Sequence, residues 1–345
     1  MKKTILFLTS IILSLAIAGC GKNTPAVSAE GEHQENITTV GFSQLGAESD
    51  WRSANTESMK ETFGIGSGYE LIFDDGQQKQ ANQITAIRTF IQQEVDYIVL
   101  APVTETGWDT VLEEAKDAEI PVIIVDRMVD VKDNSLFTCW VGSDFELEGK
   151  KVASWLNAYT LMNNIAPEDI HIVDLQGNIG ASAQIGRTAG LEKAATAYGW
   201  NILEEVSGEF TQAKGREVMD ELLDKYVNTV NVVYCENDNM ALGAIEAIEA
   251  TGKTVGSNIK KGEIMVLSFD GVNEIARNYA KDGKIACIGE CNPLHGPRVK
   301  VILDMFKYGM NPEKLSYVDE AVFSNYEGIN TVVVDGRVYP VTKIE

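Results

Sequence analysis

The sequence predicts an α/β protein of two lobes, each built on a doubly wound parallel sheet. Short runs rich in β-branched residues alternate along the chain with amphipathic helical patterns. Such alternation is typical of parallel strands whose connecting helices cover both faces of a sheet. Hydrophobic residues make up 44% of the chain, as in globular proteins, and no second long apolar segment follows the N-terminal one. About 300 residues remain after that segment, which is more than a single hydrophobic core usually takes.

The N-terminus predicts secretion and a lipid anchor. Two lysines precede an apolar run over residues 5–18, which is too short for a transmembrane helix. The small residues before Cys20 resemble a lipobox, so we expect residues 1–19 to be a signal peptide and Cys20 to carry a lipid. An ordinary cleaved signal followed by a chance cysteine is the alternative. Residues 20–36 are small and polar and predict a flexible tether, so the folded part should begin near Ile37, outside the cytoplasm at the cell surface or in a periplasm.

The charge of the chain excludes several partners. It has 29 basic and 51 acidic residues, a formal net charge of -22. Loss of residues 1–19 would remove two lysines and no acid, leaving 27 basic and 51 acidic residues and a net charge of -24. A protein this acidic is not expected to bind nucleic acid or an anionic membrane surface, so the membrane is reached through the lipid alone. We expect a monomer.

The cysteines and histidines do not indicate a metal site, and no cofactor is expected. Cys139 and Cys235 lie in apolar strand-like runs and should be buried thiols. Cys287 and Cys291 are four residues apart on a predicted strand, which is about 13 Å and too far for a disulfide or a shared metal ion. The histidines are scattered along the sequence, so a histidine-dependent catalytic triad has no support either.

Predicted strands and helices follow one another in regular order. The strands are short runs rich in β-branched and aromatic residues: residues 39–42, 70–73, 97–100, 122–125, 138–141, 170–175, 201–205, 230–235, 264–269 and 285–289. The helices carry apolar residues at spacings of three and four: residues 81–93, 111–119, 149–162, 213–226 and 240–252. Ligand sites of such sheets lie beyond the carboxyl ends of the strands, so the informative residues should directly follow each strand.

Polar and aromatic side chains do follow the predicted strands. An aromatic ring can stack on the apolar face of a sugar, while carboxylates, guanidinium groups and amides hydrogen-bond its hydroxyl groups. No loop is rich in both glycine and lysine, and the carboxylates would repel an anion. The pattern therefore favours a neutral polyhydroxylated ligand over a phosphate. The residues expected at this site are Ser43, Trp51, Arg52, Asp126, Arg127, Arg187, Phe210, Asn237, Asp270 and Glu290.

Several of these residues also have a purely structural interpretation. Trp51 could belong to the core under an amphipathic helix, and Asp126 with Arg127 could form a surface ion pair. Arg187 could be a solvated helix residue, and Asp270 before a glycine could be only a turn residue. The pair at 237–238 opens a predicted helix, so one of its members is expected to cap that helix while the other faces the ligand.

Longer motifs carry a family resemblance between Val40 and about Lys314. They include "VGFSQLGAESDWR", "DDGQQKQANQITAIRTFI", "DLQGNIGASAQIGR", "GEFTQAKGREVM" and "ENDNMALGAI". In these motifs the chain resembles the ribose-type sugar-binding proteins of ABC importers. The resemblance implies a type I periplasmic binding protein, in which two lobes joined by three crossings close over a monosaccharide. The implied crossings lie near Val141, Glu290 and Ser324. The implied lobes comprise residues 37–140 with 291–323 and residues 141–290 with 324–345.

The resemblance also implies roles for the site residues. On the first lobe the cleft would be lined by Ser43, Trp51, Arg52, Asp126 and Arg127. On the second lobe it would be lined by Arg187, Phe210, Asn237 and Asp270, with Glu290 at the last crossing.

Two residues depart from the family pattern. By the resemblance, Asp50 stands where one relative has a small residue, and Phe145 stands where many relatives have an asparagine that faces the sugar. We expect the ring of Phe145 to change which hydroxyl pattern the cleft accepts, unless both substitutions are tolerated changes at its rim.

The expected function is capture of a monosaccharide, galactofuranose or a similar furanose or pentose, and its delivery to the membrane permease of an ABC importer. One alternative is a receptor that presents its sugar to a sensor kinase or chemoreceptor. Another is a glycoside hydrolase that uses a carboxylate pair such as Asp270 and Glu290, although no enzymatic activity is expected. A transcriptional repressor of the same two-lobed fold is excluded, because the secretion signal occupies the place of a DNA-binding helix-turn-helix.

Overall fold

The computed structural model describes residues 37–226 and 228–344. The expected signal peptide, the lipid site at Cys20 and the tether lie outside the described residues. Within them, no helix combines the length and the apolar character that crossing a bilayer requires.

Strands and helices alternate along the described chain. The strands are β1 (Thr38–Gln44), β2 (Tyr69–Asp75), β3 (Tyr97–Leu100), β4 (Val122–Val125), β5 (Cys139–Gly142), β6 (His171–Gln176), β7 (Asn201–Ser207), β8 (Val232–Cys235), β9 (Met265–Asp270), β10 (Ile285–Glu290), β11 (Leu315–Tyr317), β12 (Val322–Phe323), β13 (Thr331–Val334) and β14 (Arg337–Thr342). The α-helices are α1 (Asp50–Thr62), α2 (Gln80–Gln92), α3 (Asp109–Asp117), α4 (Phe145–Met162), α5 (Ser182–Tyr198), α6 (Gln212–Tyr226), α7 (Asp238–Ala250), α8 (Glu274–Lys281) and α9 (His295–Lys307).

The strands form two separate sheets, as the α/β prediction requires. The first sheet has the order β11-β5-β4-β3-β1-β2, and all its pairings are parallel. The second has the order β13-β14-β12-β10-β9-β8-β6-β7, with parallel pairing from β10 to β7 and antiparallel pairing of β10 with β12 and of β13 with β14. We call the first sheet with α1, α2, α3 and α9 the first lobe, and the second sheet with α4 to α8 the second lobe.

Each sheet is covered on both faces, which explains the apolar character of its strands. Along β4, Val122 and Ile124 belong to one buried cluster and Ile123 and Val125 to another, because successive strand side chains point to opposite faces. Such strands lack polar-apolar alternation because both of their faces are buried.

The sequence predicted the central strands and missed the last four. All ten predicted strands occur, with ends shifted by a few residues at most, and the five predicted helices occur as α2, α3, α4, α6 and α7. The missed strands β11 to β14 lie at or near a sheet edge and contain half-exposed or exposed residues, so they lack the apolar runs of the central strands.

Three segments connect the lobes, and two of the expected boundaries are displaced. We call residues 143–144 after β5 the first crossing, residues 291–294 after β10 the second crossing, and residues 318–321 before β12 the third crossing. The first lobe extends past the expected end at residue 140, because β5 continues to Gly142 beside β11. It ends before residue 323, because β12 already pairs with β10 of the second sheet.

The cysteines and tryptophans away from the site behave as structural residues. Each of Cys139, Cys235, Cys287 and Cys291 is buried and free of any disulfide within the described part of the chain. The indoles of Trp108, Trp140, Trp155 and Trp200 are also buried in the cores of the lobes.

Candidate functional site

A polar cavity lies between the two lobes, with residues of both lobes in its wall. Its volume is only about 20 Å³, room for about one water molecule, so side chains of both lobes fill most of the space between them in this closed form. The lining residues are Glu48, Ser49, Trp51, Arg52, Asp126, Arg127, Phe145, Ala183, Arg187, Phe210, Asn237, Asp270 and Cys291.

Every residue of this wall lies at or after the carboxyl end of a strand. Asp126 directly follows β4, Asp270 is the last residue of β9, and Cys291 directly follows β10. The helices that follow β5 and β6 contribute Phe145 and Arg187 in the same way. The sheet geometry therefore collects residues that are far apart in sequence, as expected for parallel α/β sheets.

The first lobe contributes a buried network of two arginines and two carboxylates. Arg52 donates from Nη2 to Oδ2 of Asp126 over 2.6 Å and from Nε to Oε1 of Glu48 over 3.4 Å. Arg127 donates from Nη2 to the same Oε1 of Glu48 over 2.9 Å. Burial alone would raise the pKa of Asp126, but the charges of Arg52 and Arg127 outweigh it and lower that pKa.

The second lobe contributes a network centred on Arg187. Its Nε donates to Oε2 of Glu148 over 2.8 Å, and its Nη2 donates to Oδ1 of Asp270 over 3.2 Å. Its Nη1 donates to the backbone carbonyl of Glu236. Burial would lower the pKa of Arg187, yet the two carboxylates raise it and keep the guanidinium charged, while burial raises the pKa of Asp270. Arg187 is thus a fixed part of the wall, and the solvated interpretation is wrong.

Each arginine of the cavity lies over an aromatic ring. The guanidinium carbon of Arg52 is 4.7 Å from the ring centroid of Trp51. The corresponding distances are 5.4 Å from Arg127 to Phe210 and 5.6 Å from Arg187 to Phe145. Planar guanidinium groups stack well on aromatic faces, so each pair combines a flat apolar surface with a row of hydrogen-bond donors.

Trp51 is fixed by a second contact at its far end. Its Nε1 donates to the carbonyl of Cys291 in the second crossing over 2.7 Å, and the edge of the indole faces the buried ring of His295 at 5.7 Å between centroids. Trp51 therefore connects the first lobe to a crossing and also lines the cavity, so it is more than a core residue under an amphipathic helix.

Three lining residues have the left-handed backbone conformation that side chains rarely adopt. The φ angles are 63° at Asp126, 60° at Phe210 and 88° at Asp270. Such conformations persist where the surroundings impose them, and they aim side chains that a regular strand or helix would turn away. Gly177 makes room for one of them, because a Cβ there would lie 1.9 Å from the ring of Phe210.

Asn237 performs both roles that the sequence divided between two residues. Its Oδ1 accepts from the backbone N–H of Met240 as the N-cap of α7, its Nδ2 donates to the carbonyl of Phe210, and it lines the cavity. Asp238 faces away from the cavity and accepts from the backbone N–H groups of Val272 and Asn273. The expected division between a capping and a ligand-facing residue is therefore wrong.

Nine of the eleven expected site residues surround this one cavity, and Ser43 and Glu290 do not. Ser43 lies inside β1, fully buried, with its hydroxyl 3.4 Å from Nε2 of Gln83 in α2, so it faces the core. Glu290 lies at the second crossing but turns to the third, where its Oε2 accepts from the backbone N–H of Ala321 over 2.7 Å. The residue after it, Cys291, lines the cavity instead.

Sequence reasoning missed four lining residues: Glu48, Ser49, Ala183 and Cys291. Glu48 could have been found, because it precedes Arg52 by four residues, a spacing that suits an ion pair around a helix start. Ser49 is the N-cap of α1 and accepts from the backbone N–H of Arg52, which is a recognisable helix-start signal. No sequence signal distinguished the other two.

The two lobes touch each other beside the cavity. Met128 of the first lobe donates from its backbone N–H to Oγ of Ser182 over 3.0 Å, and Asp50 bonds to Asn239 and Asn273 of the second lobe. The lobes are therefore closed. Of the two departures from the family pattern, Phe145 lies in the cavity wall, whereas Asp50 lies outside it and bridges the lobes.

Comparison with known proteins agrees with this architecture. Residues 40–293 match the model of the periplasmic binding protein domain family. The chain is 42% identical over 289 residues to the galactofuranose-binding protein YtfQ of Escherichia coli (strain K12), covering 83% of this chain and 87% of that protein.

Two solved structures have the same fold at similar identity. The periplasmic binding protein component of the arabinose ABC transporter from Shewanella sp. ANA-3, bound to alpha and beta-L-arabinofuranose, is 41% identical with a TM-score of 0.75, covering 83% of this chain and 91% of that one. A protein from Mycobacterium smegmatis in complex with beta-D-fucofuranose is 38% identical with a TM-score of 0.77 and the same coverage. The family match spans most of the described residues, and these relatives are binding proteins. The chain therefore belongs to the periplasmic binding protein family and is a substrate-binding protein rather than an enzyme.

Proposed function

We propose that this protein captures a monosaccharide in its furanose form between the two lobes and delivers it to the membrane permease of an ABC importer. The observation that carries the proposal is the cavity, in which both lobes present arginine–aromatic pairs held by buried carboxylates. The furanose form of the ligand is proposed from the relatives, since they include proteins described with galactofuranose, arabinofuranose and fucofuranose. The family and the sugar-binding relatives both support a site of action outside the cytoplasm.

The unused hydrogen-bonding atoms of the wall suit a neutral sugar. Among the described residues, Oε2 of Glu48, Nη1 of Arg52 and Nε of Arg127 are buried without a hydrogen-bond partner. These atoms are one acceptor and two donors, and a hydroxyl group can satisfy either kind. The wall also sets three arginines against three carboxylates, which favours an uncharged ligand over an anion or a cation.

A moderate affinity is expected from these contacts. Hydrogen bonds to charged groups contribute about 1.5–3 kcal/mol each. After the costs of desolvation and ordering, about -8 kcal/mol can remain, which is a micromolar Kd. Because the wall draws on both lobes, the full set of contacts exists only in the closed form, so the sugar should shift the population toward closure.

Isothermal titration of the purified protein tests the proposal. The sugars are galactose, arabinose, ribose, fructose and galactofuranose-containing sugars, with Trp51→Ala and Arg187→Ala as binding-deficient variants. Glu57→Ala is the matched control, because Glu57 is exposed on the helix that carries Trp51. We expect micromolar binding of a furanose-forming sugar, its loss in both site variants and no change in the control. Absence of heat with all of these sugars would contradict the proposal.

Closure and delivery need separate measurements. Small-angle scattering should show a smaller radius of gyration when the bound sugar is added, and an unchanged radius would exclude capture by closure. Uptake of the labelled sugar by cells should depend both on this protein and on the membrane permease of the ABC importer. Cells without this protein could instead keep sugar uptake and lose a signalling response to the sugar. That result would favour the alternative of a receptor that serves a sensor kinase or chemoreceptor.

The lipid anchor is part of the same proposal. We expect the protein to fractionate with membranes and Cys20→Ser to release it, with a lipid mass on the N-terminal peptide of the unmodified protein. A protein that remains unmodified and soluble would contradict the anchor without touching the sugar site.

The two carboxylates named for the hydrolase alternative do not meet at the cavity. A glycosidase needs two carboxyl groups that flank one glycosidic bond. Asp270 lines the cavity, but Glu290 is bound to the backbone of Ala321 and does not reach it. The pair on which this alternative depended is therefore not assembled.

A further inference from the structure

The three crossings lie side by side, so a change in one must affect the others. The backbone N–H of Val318 in the third crossing donates to the carbonyl of Gly142 at the start of the first, over 2.9 Å. The backbone N–H of Glu290 at the start of the second donates to the carbonyl of Ala321 in the third, over 3.0 Å. Opening of the lobes has to rearrange this region, because all chain connections between the lobes pass through it.

One carboxyl group bonds to the other two crossings. Glu320 lies in the third crossing, and its Oε1 accepts from Oγ of Ser143 in the first crossing over 2.6 Å. The same Oε1 accepts from the backbone N–H of Asn292 in the second crossing over 2.8 Å. Its own carbonyl accepts from Nζ of Lys151 in α4 over 2.7 Å, which holds the segment against the second lobe. A single side chain therefore joins the three crossings in the closed form.

The carboxyl of Glu320 also lies beside the carboxyl of Glu148. Each of these groups has an oxygen within 4.8 Å of the other. Glu148 lies in the first turn of α4 and is 2% exposed, and it uses Oε2 for Arg187. The Oε1 of Glu148 is buried, and it has no hydrogen-bond partner among the described residues. Two carboxylates this close together and largely shielded from water repel each other strongly, so the pair is more stable when one of them holds a proton.

The surroundings place this proton on Glu320. Burial, reinforced by the negative charge of Glu148, raises the pKa of Glu320 to about 9. Glu148 has the charge of Arg187 to stabilise its ionised form, whereas Glu320 has two neutral donors. The charged and titratable groups around the pair are Arg187 from α5, Asp270 at the end of β9, Cys291 from the second crossing, and Lys151 from α4. Asp144 and Asp319 lie beside Lys151.

The pair connects the crossings to the cavity. Glu148 orients Arg187, which in turn bonds to Asp270 and lies over the ring of Phe145. If Glu320 lost its proton, the buried carboxylate of Glu148 and the partly buried one of Glu320 would repel each other at the crossings, and Glu148 would be displaced from Arg187. The protonation state at the crossings and the geometry of the sugar site are thus linked through one side chain.

We propose that Glu320 is a positioning residue that locks the three crossings in the closed form by holding one proton between its carboxyl and that of Glu148. This inference rests on the proposed capture of a sugar by closure. When the lobes open, the crossings separate, water reaches Glu320, and the carboxyl ionises at neutral pH. Closure over the sugar then takes up one proton from the solvent, and it becomes less favourable as the pH rises.

Titration calorimetry of the protein in two buffers with different ionisation enthalpies, phosphate and Tris, counts this proton at pH 7.5. With the sugar found in the screen above, we expect uptake of close to one proton per sugar bound by the wild type. Glu320→Gln keeps an acceptor for Ser143 and Asn292 and gains a donor for Glu148. It should bind within about threefold of the wild type at pH 7.5, without proton uptake and with a Kd that is flat up to pH 9.

Two further variants separate the lock from general effects of charge and folding. Glu320→Ala removes the bonds to the other crossings, and we expect its Kd to rise by tenfold or more. Asp319→Asn makes the same change of charge on the adjacent exposed residue, and it should retain the proton uptake.

Each outcome separates this inference from the proposed function. Sugar binding by the wild type without proton uptake overturns the lock, and that measurement requires no variant to fold. Uptake that persists in Glu320→Gln also overturns it. If the wild type binds none of the sugars at any pH, the proposed function fails first and the lock fails with it.

Discussion

Asp50 and Asn239 hydrogen-bond to each other twice from opposite lobes. The backbone N–H of Asp50 donates to Oδ1 of Asn239 over 3.2 Å, and Nδ2 of Asn239 donates to Oδ2 of Asp50 over 3.1 Å. Asn273 donates to the same Oδ2.

Removal of this bridge should favour opening. We expect Asp50→Ala to raise the dissociation rate of the bound sugar by about two- to fivefold, because an exposed polar bridge contributes little and is screened by salt. Stopped-flow measurement of sugar release checks this, with Glu57→Ala on the same helix as the control for loss of a negative charge. Equal rates in the wild type and Asp50→Ala would show that the bridge does not hold the lobes closed.

Arg187→Lys should weaken sugar binding far more than its conserved charge suggests. One ammonium group cannot span Glu148, Asp270 and the carbonyl of Glu236, so buried carboxylates lose partners. We expect a loss of about 2 kcal/mol or more of binding free energy, a rise in Kd of about 30-fold, measured by calorimetry.

The matched control for this substitution is Arg88→Lys. Arg88 forms a similar two-pronged bond with Glu114, but at the surface, where both side chains are well exposed. This variant should leave the Kd unchanged. A Kd for Arg187→Lys within threefold of the wild type would mean that charge alone, without the geometry, is sufficient at this position.

Trp51→Phe isolates the hydrogen bond between the first lobe and the second crossing. It keeps an aromatic ring but leaves the buried carbonyl of Cys291 without its donor, which costs about 1–3 kcal/mol. We expect Kd to rise by about fivefold or more. Trp108→Phe removes a similar indole bond, to the carbonyl of Thr104, and neither residue lines the cavity, so it should lower the melting temperature without changing Kd. Equal changes of Kd in both variants would contradict the role of Trp51.

His295 should make folding less favourable in mild acid. Burial lowers its pKa to about 4, although the nearby charge of Asp126 opposes this shift. An unfolded histidine titrates near 6.5, so between about pH 6.5 and pH 4 the unfolded chain binds a proton that the folded chain does not. The free energy of unfolding should therefore fall by up to about 3 kcal/mol as the pH is lowered through this range.

Urea unfolding of the wild type and His295→Asn at pH 7.5, 5.5 and 4.5 measures this contribution. The difference between the two proteins should be constant above pH 7, where the imidazole is neutral in both states. It should shrink as the pH falls, because only the wild type loses stability through this group. If the free energies of unfolding of the two proteins changed in parallel down to pH 4.5, the lowered pKa of His295 would be refuted.

The sequence was informative wherever one local rule determined the structure. Buried parallel strands need apolar runs, so β4 and β8 were predicted within two residues of their bounds, whereas the short strand β12 has no such run. The rule that ligand residues follow strands led to Asp126 and Arg187, which both line the cavity. It failed for Glu290, because that side chain turns toward a crossing that comes later in the chain.

The sequence by itself therefore determined the two-lobed α/β fold and the order of its central strands along the chain, because both follow from local periodicity. It also determined the chemical character of the site, because that follows from the residues placed after the strands. Only the tertiary structure decided which charges meet. Asp126 pairs with Arg52 rather than with its neighbour Arg127, and Glu320 joins the crossings beside Glu148. Partners such as these are distant in sequence and are brought together by the packing of the lobes, so no local pattern encodes them.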